Sequence, residues 1–149
     1  MNPKLYFEEQ KAVYIAHTSG ILMHVMGAML AIIIGPFQFL PGSITRRYLT
    51  LHRWLGKSYM VGVLFGGLGG LYMAFLAYGG LPAQAGFALL AVLWLFSGYM
   101  AYQHIRNREV LLHRQWMVRN YALTFAGVML RLWLAILHYV GLSLLQPIF

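Results

Sequence analysis

The sequence predicts an all-α integral membrane protein whose helices form an antiparallel four-helix transmembrane bundle. Hydrophobic residues make up 60% of the 149 residues and charged residues only 9%, whereas roughly a quarter of a soluble domain is charged. The apolar residues lie in long runs, and most basic residues lie between those runs. A bilayer-spanning helix needs about 20 mainly apolar residues, so each run is long enough to cross.

The apolar runs predict four helices within a single domain, at about 16–40, 58–78, 83–105 and 114–140. Pro36 lies near the end of the first run, where it is expected to kink or end the helix because proline lacks a backbone donor. Gly79, Gly80 and Pro82 form an uncharged turn between the second and third runs.

The basic residues predict the orientation in the membrane. Eight of the eleven Lys and Arg residues lie in or beside the connectors that follow the first and third helices. Because cytoplasmic loops are enriched in Lys and Arg, both connectors are expected in the cytoplasm and both termini outside. The net charge of +8 therefore indicates the membrane topology of the chain and does not indicate a nucleic-acid-binding surface. The chain has no cysteine, which excludes disulfides and thiolate metal sites.

The last predicted helix carries a polar stripe. Residues three and four apart share one face of a helix, and such a face in an apolar helix is expected to turn toward protein or a cofactor. The stripe consists of His113, Met117, Asn120, Thr124, Gly127, Arg131, Leu134 and His138.

Three further faces are predicted to turn inward. The first helix combines His17 and His24 with small residues, which let helix backbones approach closely. The second helix has tandem glycine spacing that predicts either close packing or room for a flat ligand. The residues that share these inward faces on the second and third helices are His52, Tyr59, Gly66, Trp94, Ser97 and His104.

The histidines form two groups by depth, with His52, His104 and His113 at the cytoplasmic ends. Two histidines at one depth on facing helices are the usual axial ligands of b-type haem. His52 and His113 meet this requirement because each lies in a Leu-His-Arg segment that opens a helix. These segments also suggest two helix-hairpin repeats related by an axis along the membrane normal. The competing interpretation is that His-Arg at a helix start anchors the chain at the interface.

Arg131 is a charged residue in the middle of the last apolar run, well beyond Arg114 and Arg119 at its start, and such charges usually face the bundle and have a partner. No Asp or Glu lies in any of the four runs. The expected partner is a histidine, a backbone carbonyl, a tyrosine, water or an anionic ligand. Met23, Met26 and Met29 beside His24 raise the alternative of a copper site, although packing explains them as well.

The two halves of the chain resemble a family of predicted bacterial membrane proteins that is known only as a domain of unknown function. In the first half the matching residues are His24, Gly35-Pro36-Phe37-Gln38-Phe39, Arg46, His52-Arg53-Trp54-Leu55-Gly56 and Tyr59. In the second half they are His113-Arg114, Trp116-Met117, Arg119, Tyr121-Ala122-Leu123-Thr124 and Leu130-Arg131. The resemblance implies a four-helix protein of the bacterial inner membrane and implies no activity. The likeness to four-helix b-type cytochromes is one of architecture alone.

The leading hypothesis is a small b-type haem or quinone-linked electron-transfer protein. His52 and His113 are the predicted haem ligands, and His24 with Arg131 forms a predicted second polar site. Three arginines are expected to neutralise haem propionates or anionic lipid headgroups: Arg53, Arg114 and Arg119.

The main alternative is a non-catalytic accessory or assembly subunit of a larger membrane complex. Its expected partners are the lipid bilayer and a membrane-complex protein, or a second copy through the glycine-rich second helix. A small anion transporter that uses Arg131 is a weaker alternative, because the apolar runs lack carboxylates for ion coupling.

Overall fold

The computed structural model describes residues 15–41, 47–77 and 80–145; the side chains of Arg131, His138 and several of their neighbours lie outside that description. The described residues form four helices and no strand: α1 (Thr18–Gln38), α2 (Leu49–Ala74), α3 (Gly80–Arg106) and α4 (Val110–Leu145). The prediction of an all-helical chain is therefore confirmed for the described residues.

The first helix continues through its proline. Pro36 lies in the last turn of α1, and the Phe39 amide donates to the Pro36 carbonyl at 3.2 Å, which ends the helix at Gln38. Pro36 has no amide hydrogen to donate to the Ile32 carbonyl, and the helix ends two residues after it. The predicted end at about residue 40 differs from this end by two residues.

The helices that follow the basic connectors begin earlier than the apolar runs. α2 begins at Leu49, nine residues before its predicted start, and α4 begins at Val110. Between α3 and α4 the chain reverses within three residues, where Arg108 has a left-handed φ of 64° and the Glu109 amide bonds to the His104 carbonyl at 2.9 Å. Hydropathy marks only the apolar part of a helix, so it does not identify the basic first turns of α2 and α4 as helical.

Glycines bring α1 and α2 together. A Cβ placed on Gly27 would lie 2.3 Å from the backbone nitrogen of Gly66, so any other residue at position 27 would force the two backbones apart. Nearer the start of α1, Gly20 lies against the Tyr72 ring of α2. As the residue number rises on α1 it falls on α2, so the contacts run in opposite chain directions. The predicted packing role of the glycine face is therefore seen within the chain.

Each described helix packs beside its neighbour in sequence, and a smaller contact between α1 and α4 closes the ring. α2 and α4 consequently face each other across the interior. The core combines Tyr59 and Val63 of α2 with Trp94 of α3 and Met117 of α4. Many large apolar side chains point outward instead, as Phe65 and Phe96 do.

Two of the described helices, α1 and α3, are long and apolar enough to cross a membrane by length and composition. Their outward apolar surface is what a helix in contact with lipid presents.

Candidate functional site at the basic end

The described helix ends next to the basic connectors lie at one end of the bundle, which we call the basic end. It comprises the C-terminal ends of α1 and α3 and the N-terminal ends of α2 and α4. Gln38 lies beside Gly56 of α2, and Phe39 packs on Tyr121 of α4 with 5.4 Å between ring centroids. Aromatic rings hold several of the cations there: Lys57 on Trp54 at 5.1 Å, Arg106 on Tyr102 at 5.9 Å and Arg119 on Trp116 at 4.5 Å.

A hydrogen-bonded set of buried side chains joins three helices deeper in the bundle. We call it the central polar network; its members are Tyr59, Trp94, Ser97, Asn120 and Thr124. The Asn120 side chain is completely buried. Its amide oxygen accepts from the Tyr59 hydroxyl at 2.7 Å. Its amide nitrogen donates to the Trp94 carbonyl at 2.7 Å and to the Ser97 hydroxyl at 2.8 Å.

The rest of the central polar network is satisfied as well. The Trp94 indole donates to the Thr124 hydroxyl at 2.8 Å, and that hydroxyl donates to the Asn120 carbonyl at 3.1 Å. The Ser97 hydroxyl donates to the Trp94 carbonyl at 3.0 Å. Each side-chain donor in the network therefore has an acceptor. Because a satisfied buried network specifies packing and offers no group to a ligand, we assign it a structural role.

A second polar group lies nearer the basic end, and its members are not all satisfied. We call Gln38, His52 and His113 the end cluster. The Nδ1 of His113 donates to the Ala101 carbonyl of α3 at 2.8 Å, if the ring carries its proton there. This bond fixes the ring and leaves Nε2 as an acceptor or metal ligand. His52 lies across the interior on α2, close enough for the two rings to interact electrostatically.

The unsatisfied atoms of the end cluster are His52 Nδ1 and Gln38 Nε2. Both nitrogens are buried, and within the described ranges neither has a hydrogen-bond partner. Leaving one buried polar group unpaired costs about 1–3 kcal/mol, so such groups in a folded protein call for an explanation. A ligand that completes the hydrogen bonds or coordination of these atoms would supply one.

The environment also favours neutral His52. This residue lies in the first turn of α2, before the apolar run that starts at Ser58. Burial, and next the neighbouring His113 ring, lower the pKa of His52 below its ordinary value of 6.5. Neutral imidazole is the form that binds a metal or accepts a hydrogen bond.

Other histidines have partners in the protein. His17 Nδ1 bonds to the Tyr72 hydroxyl at 2.6 Å, and His104 Nδ1 pairs with the Glu109 carboxylate at 2.5 Å. His24 Nδ1 donates to the Gly66 carbonyl at 2.7 Å. A Cβ on Gly70 would lie 2.8 Å from that same nitrogen, so glycine at position 70 makes room for the imidazole.

The remaining predicted site residues are less closely placed. The side chains of Arg131 and His138 lie outside the described residues, so the pairing of His24 with Arg131 stays a prediction. Arg53 and Arg114 are exposed beside the end cluster residues that precede them in sequence. Arg119 lies over Trp116, whose ring packs edge-on against Phe96 of α3 at 5.7 Å.

An apolar groove of about 570 Å³ opens between the end of α1 and the outer side of α4. No histidine lines it, so it is separate from the end cluster. The groove is lined by Phe39, Val118, Tyr121, Ala122, Phe125, Ala126 and Met129.

Sequence reasoning brought His52 and His113 together but missed Gln38. The available signal was that Gln38 is the first polar residue after His24 in an otherwise apolar segment. Among the described residues, no three side chains of the metal-binding types lie together. A haem with two axial histidines requires only two such residues.

Comparison with known families identifies the chain at the family level. It belongs to the family described as "Predicted membrane protein (DUF2306)", whose model matches residues 21–146. The resemblance seen in the sequence is thereby confirmed. The chain is a predicted membrane protein, and its described residues include two candidate membrane-spanning helices. No curated protein and no solved structure matches it.

Proposed function

We propose that the chain is a multi-pass protein of the bacterial inner membrane, with an antiparallel bundle of four spanning helices. Both basic connectors face the cytoplasm and both termini lie outside. The Lys and Arg residues gathered at the basic end support this orientation, because cytoplasmic loops are enriched in these residues. α2 and α4 cross the membrane in contact with α1 and α3, which shield their polar faces.

We propose that the end cluster binds a redox cofactor and that the protein transfers electrons. The observation that carries the proposal is the buried His52 Nδ1 without a partner among the described residues. The first candidate is b-type haem with His52 and His113 as axial ligands. The donor set suits it, since both residues are imidazoles on helices that face each other across the interior.

Haem iron would supply one-electron transfer when bound. The chain's own residues would hold and orient the cofactor. The Ala101 carbonyl holds the His113 ring, and the basic end supplies positive charge through Arg53 and Arg114. Met117 fills the interior one turn deeper than His113, and Tyr59 fills it about two turns deeper than His52, so the cofactor would lie at the basic end and not at the bundle centre.

A quinone headgroup is the second candidate, and the unpaired Gln38 nitrogen favours it. Quinone carbonyl oxygens accept hydrogen bonds, and a primary amide and an imidazole N–H are both donors. Gln38 and His52 lie about one helical turn apart along the α1–α2 contact, since Gln38 is beside Gly56. A quinone needs less room than a haem in this part of the bundle.

The haem proposal is tested by the absorption spectrum of the purified protein. We expect a Soret band that is lost in His52→Ala and His113→Ala and kept in His104→Ala. His104 is a matched control because it lies at the same end and already pairs with Glu109. Absence of the band from the wild-type protein, or its equal loss in His104→Ala, would end the haem proposal.

The quinone proposal is tested by solvent extraction of the same preparations. We expect Gln38→Leu to lose bound quinone, whereas Gln103→Leu keeps it, because Gln103 bonds to Tyr99 on the exposed surface. If neither cofactor is found, and a variant without histidines still supports a partner complex, the accessory-subunit alternative replaces electron transfer.

A further inference from the structure

The apolar groove between α1 and α4 lies on a face of α4 that is distinct from the end cluster. Its α4 residues follow the three-and-four spacing of one helical face, from Val118 to Met129. The buried face of α4, which carries Asn120 and Thr124, points elsewhere. Val118 and Phe125 are about half exposed, so the groove is open on its outer side to whatever surrounds the bundle.

A close contact between α1 and α4 forms the floor of the groove. A Cβ on Gly35 would lie 2.1 Å from the Tyr121 ring, so glycine at position 35 lets that ring lie against α1. Tyr121 also packs on Phe39 and on Phe125, with ring centroids 5.4 and 6.3 Å apart. The aromatic rings thus form one wall of the groove, which is open on its outer side.

The length of the groove matches one leaflet. Val118 and Met129 are eleven residues apart, which is about 17 Å along a helix axis. The hydrocarbon core of a bilayer is roughly 30 Å thick, so one leaflet is about 15 Å. A groove that starts near the basic end would therefore reach about the middle of the membrane.

A positive charge stands at the basic end of the groove. Arg114 is four residues before Val118 and so lies on the same face, one turn beyond the apolar lining. It is exposed. Arg119, by contrast, lies over Trp116 on the α3 side of the helix. The groove face thus carries a cation followed by an open apolar surface, which complements an anionic headgroup joined to an acyl chain.

We propose that the groove binds one acyl chain of an anionic phospholipid whose phosphate contacts Arg114. The lipid would hold α1 against α4, the smallest of the helix contacts in the ring. The proposal rests on the membrane orientation proposed above, but it requires no cofactor at the end cluster. Its test reads lipid binding, which is separate from the spectrum that tests the haem.

The test is native mass spectrometry of the full chain released from detergent after titration with phosphatidylglycerol or phosphatidylcholine of the same acyl chains. We expect one phosphatidylglycerol per chain, bound more tightly than phosphatidylcholine. One Arg near a membrane surface contributes about 1 kcal/mol of attraction, so Arg114→Gln should weaken phosphatidylglycerol binding about fivefold. Arg108→Gln, which removes a charge from the nearby turn, should leave the affinity unchanged.

A second pair of variants tests the groove. Ala126→Phe should fill the groove and weaken both lipids, whereas Ala85→Phe on the exposed side of α3 should weaken neither. Equal effects of the two arginine variants, equal affinity for the two lipids, or unchanged binding in a folded Ala126→Phe protein would overturn the proposal. Recovery of a quinone or of a second copy of the chain from this groove, in place of phospholipid, would overturn it as well.

Discussion

The central polar network and the end cluster use similar side chains in opposite ways. In the network, Asn120 makes three hydrogen bonds to residues of α2 and α3, and every side-chain donor is paired. In the end cluster, two or so turns away along α2, His52 and Gln38 each have a buried nitrogen without a partner in the described part of the chain. Polarity in the interior therefore does not by itself mark a functional site. Buried polar atoms without a hydrogen-bond partner are the feature that distinguishes the end cluster.

The two regions are also expected to affect the stability of the fold differently. A satisfied network fixes one packing of the helices and is costly to disturb. An unsatisfied group lowers stability until a ligand completes it, which is common at binding sites. Replacing a residue of the network should consequently lower the free energy of unfolding, whereas replacing an unsatisfied residue of the end cluster should not.

The largest loss of stability is expected for Asn120→Leu. The substitution leaves the Tyr59 hydroxyl without its acceptor and removes both amide donors, which should lower the free energy of unfolding by about 2–3 kcal/mol. Unfolding in mixed micelles of detergent and dodecyl sulfate measures the change. Gln115→Leu on the exposed side of α4 is the control and should change the free energy by less than about 0.5 kcal/mol. Similar values for the two variants would remove the structural role of the network.

Thr124→Val should have an intermediate effect. The two side chains are nearly equal in shape, but valine cannot accept the Trp94 indole hydrogen. A single hydrogen bond between membrane helices contributes about 0.6–1.7 kcal/mol, and we expect a loss of about 1 kcal/mol in the same assay. Thr50→Val at the exposed start of α2 serves as the control. A Thr124→Val protein as stable as wild type would mean that the indole finds another acceptor.

His52→Leu should not destabilise the protein isolated without a ligand. Replacing an unpaired buried imidazole by an apolar side chain removes an unsatisfied group, so the free energy of unfolding should stay constant or rise by up to about 1 kcal/mol. His113→Leu should instead lower it slightly, because it loses the bond to the Ala101 carbonyl. A loss of more than 1 kcal/mol in His52→Leu would show that this residue has a structural role.

The smallest expected effect is a pH dependence carried by His52. Its pKa in the folded chain lies below the value of 6.5 for the unfolded chain. Between those two values the unfolded chain binds more protons, so His52 adds no pH dependence above about pH 6.5 and lowers the free energy of unfolding increasingly as the pH falls below it. The difference between unfolding curves of wild type and His52→Leu, measured from pH 8 to 5, isolates this term. A difference that grows in the opposite direction would contradict the assigned pKa shift.

Much of the fold could be predicted from hydropathy and spacing. Apolar runs located the helices, and the three-and-four spacing placed Asn120, Thr124 and Trp94 on inward faces. The starts of α2 and α4 were predicted too late, because their first turns are basic and hydropathy does not mark them as helical.

The difference between the two polar regions could not be predicted. Whether a side chain finds a partner depends on the register of two helices to within one turn, and helical periodicity gives the face but not that register. Sequence reasoning therefore predicted His24 as a binding residue as well as His52 and His113, although His24 bonds to the Gly66 carbonyl and His52 Nδ1 has no described partner. Gln38 was overlooked for the same reason.

The central claim is that the end cluster binds a redox cofactor whereas the central polar network does not. The most direct measurement is the amount of haem and quinone per chain in gently purified wild-type protein, beside the same measurement for His52→Leu and Thr124→Val. We predict close to one cofactor per chain in wild type and in Thr124→Val and almost none in His52→Leu. Equal cofactor content in all three proteins, or none in wild type, would contradict the account.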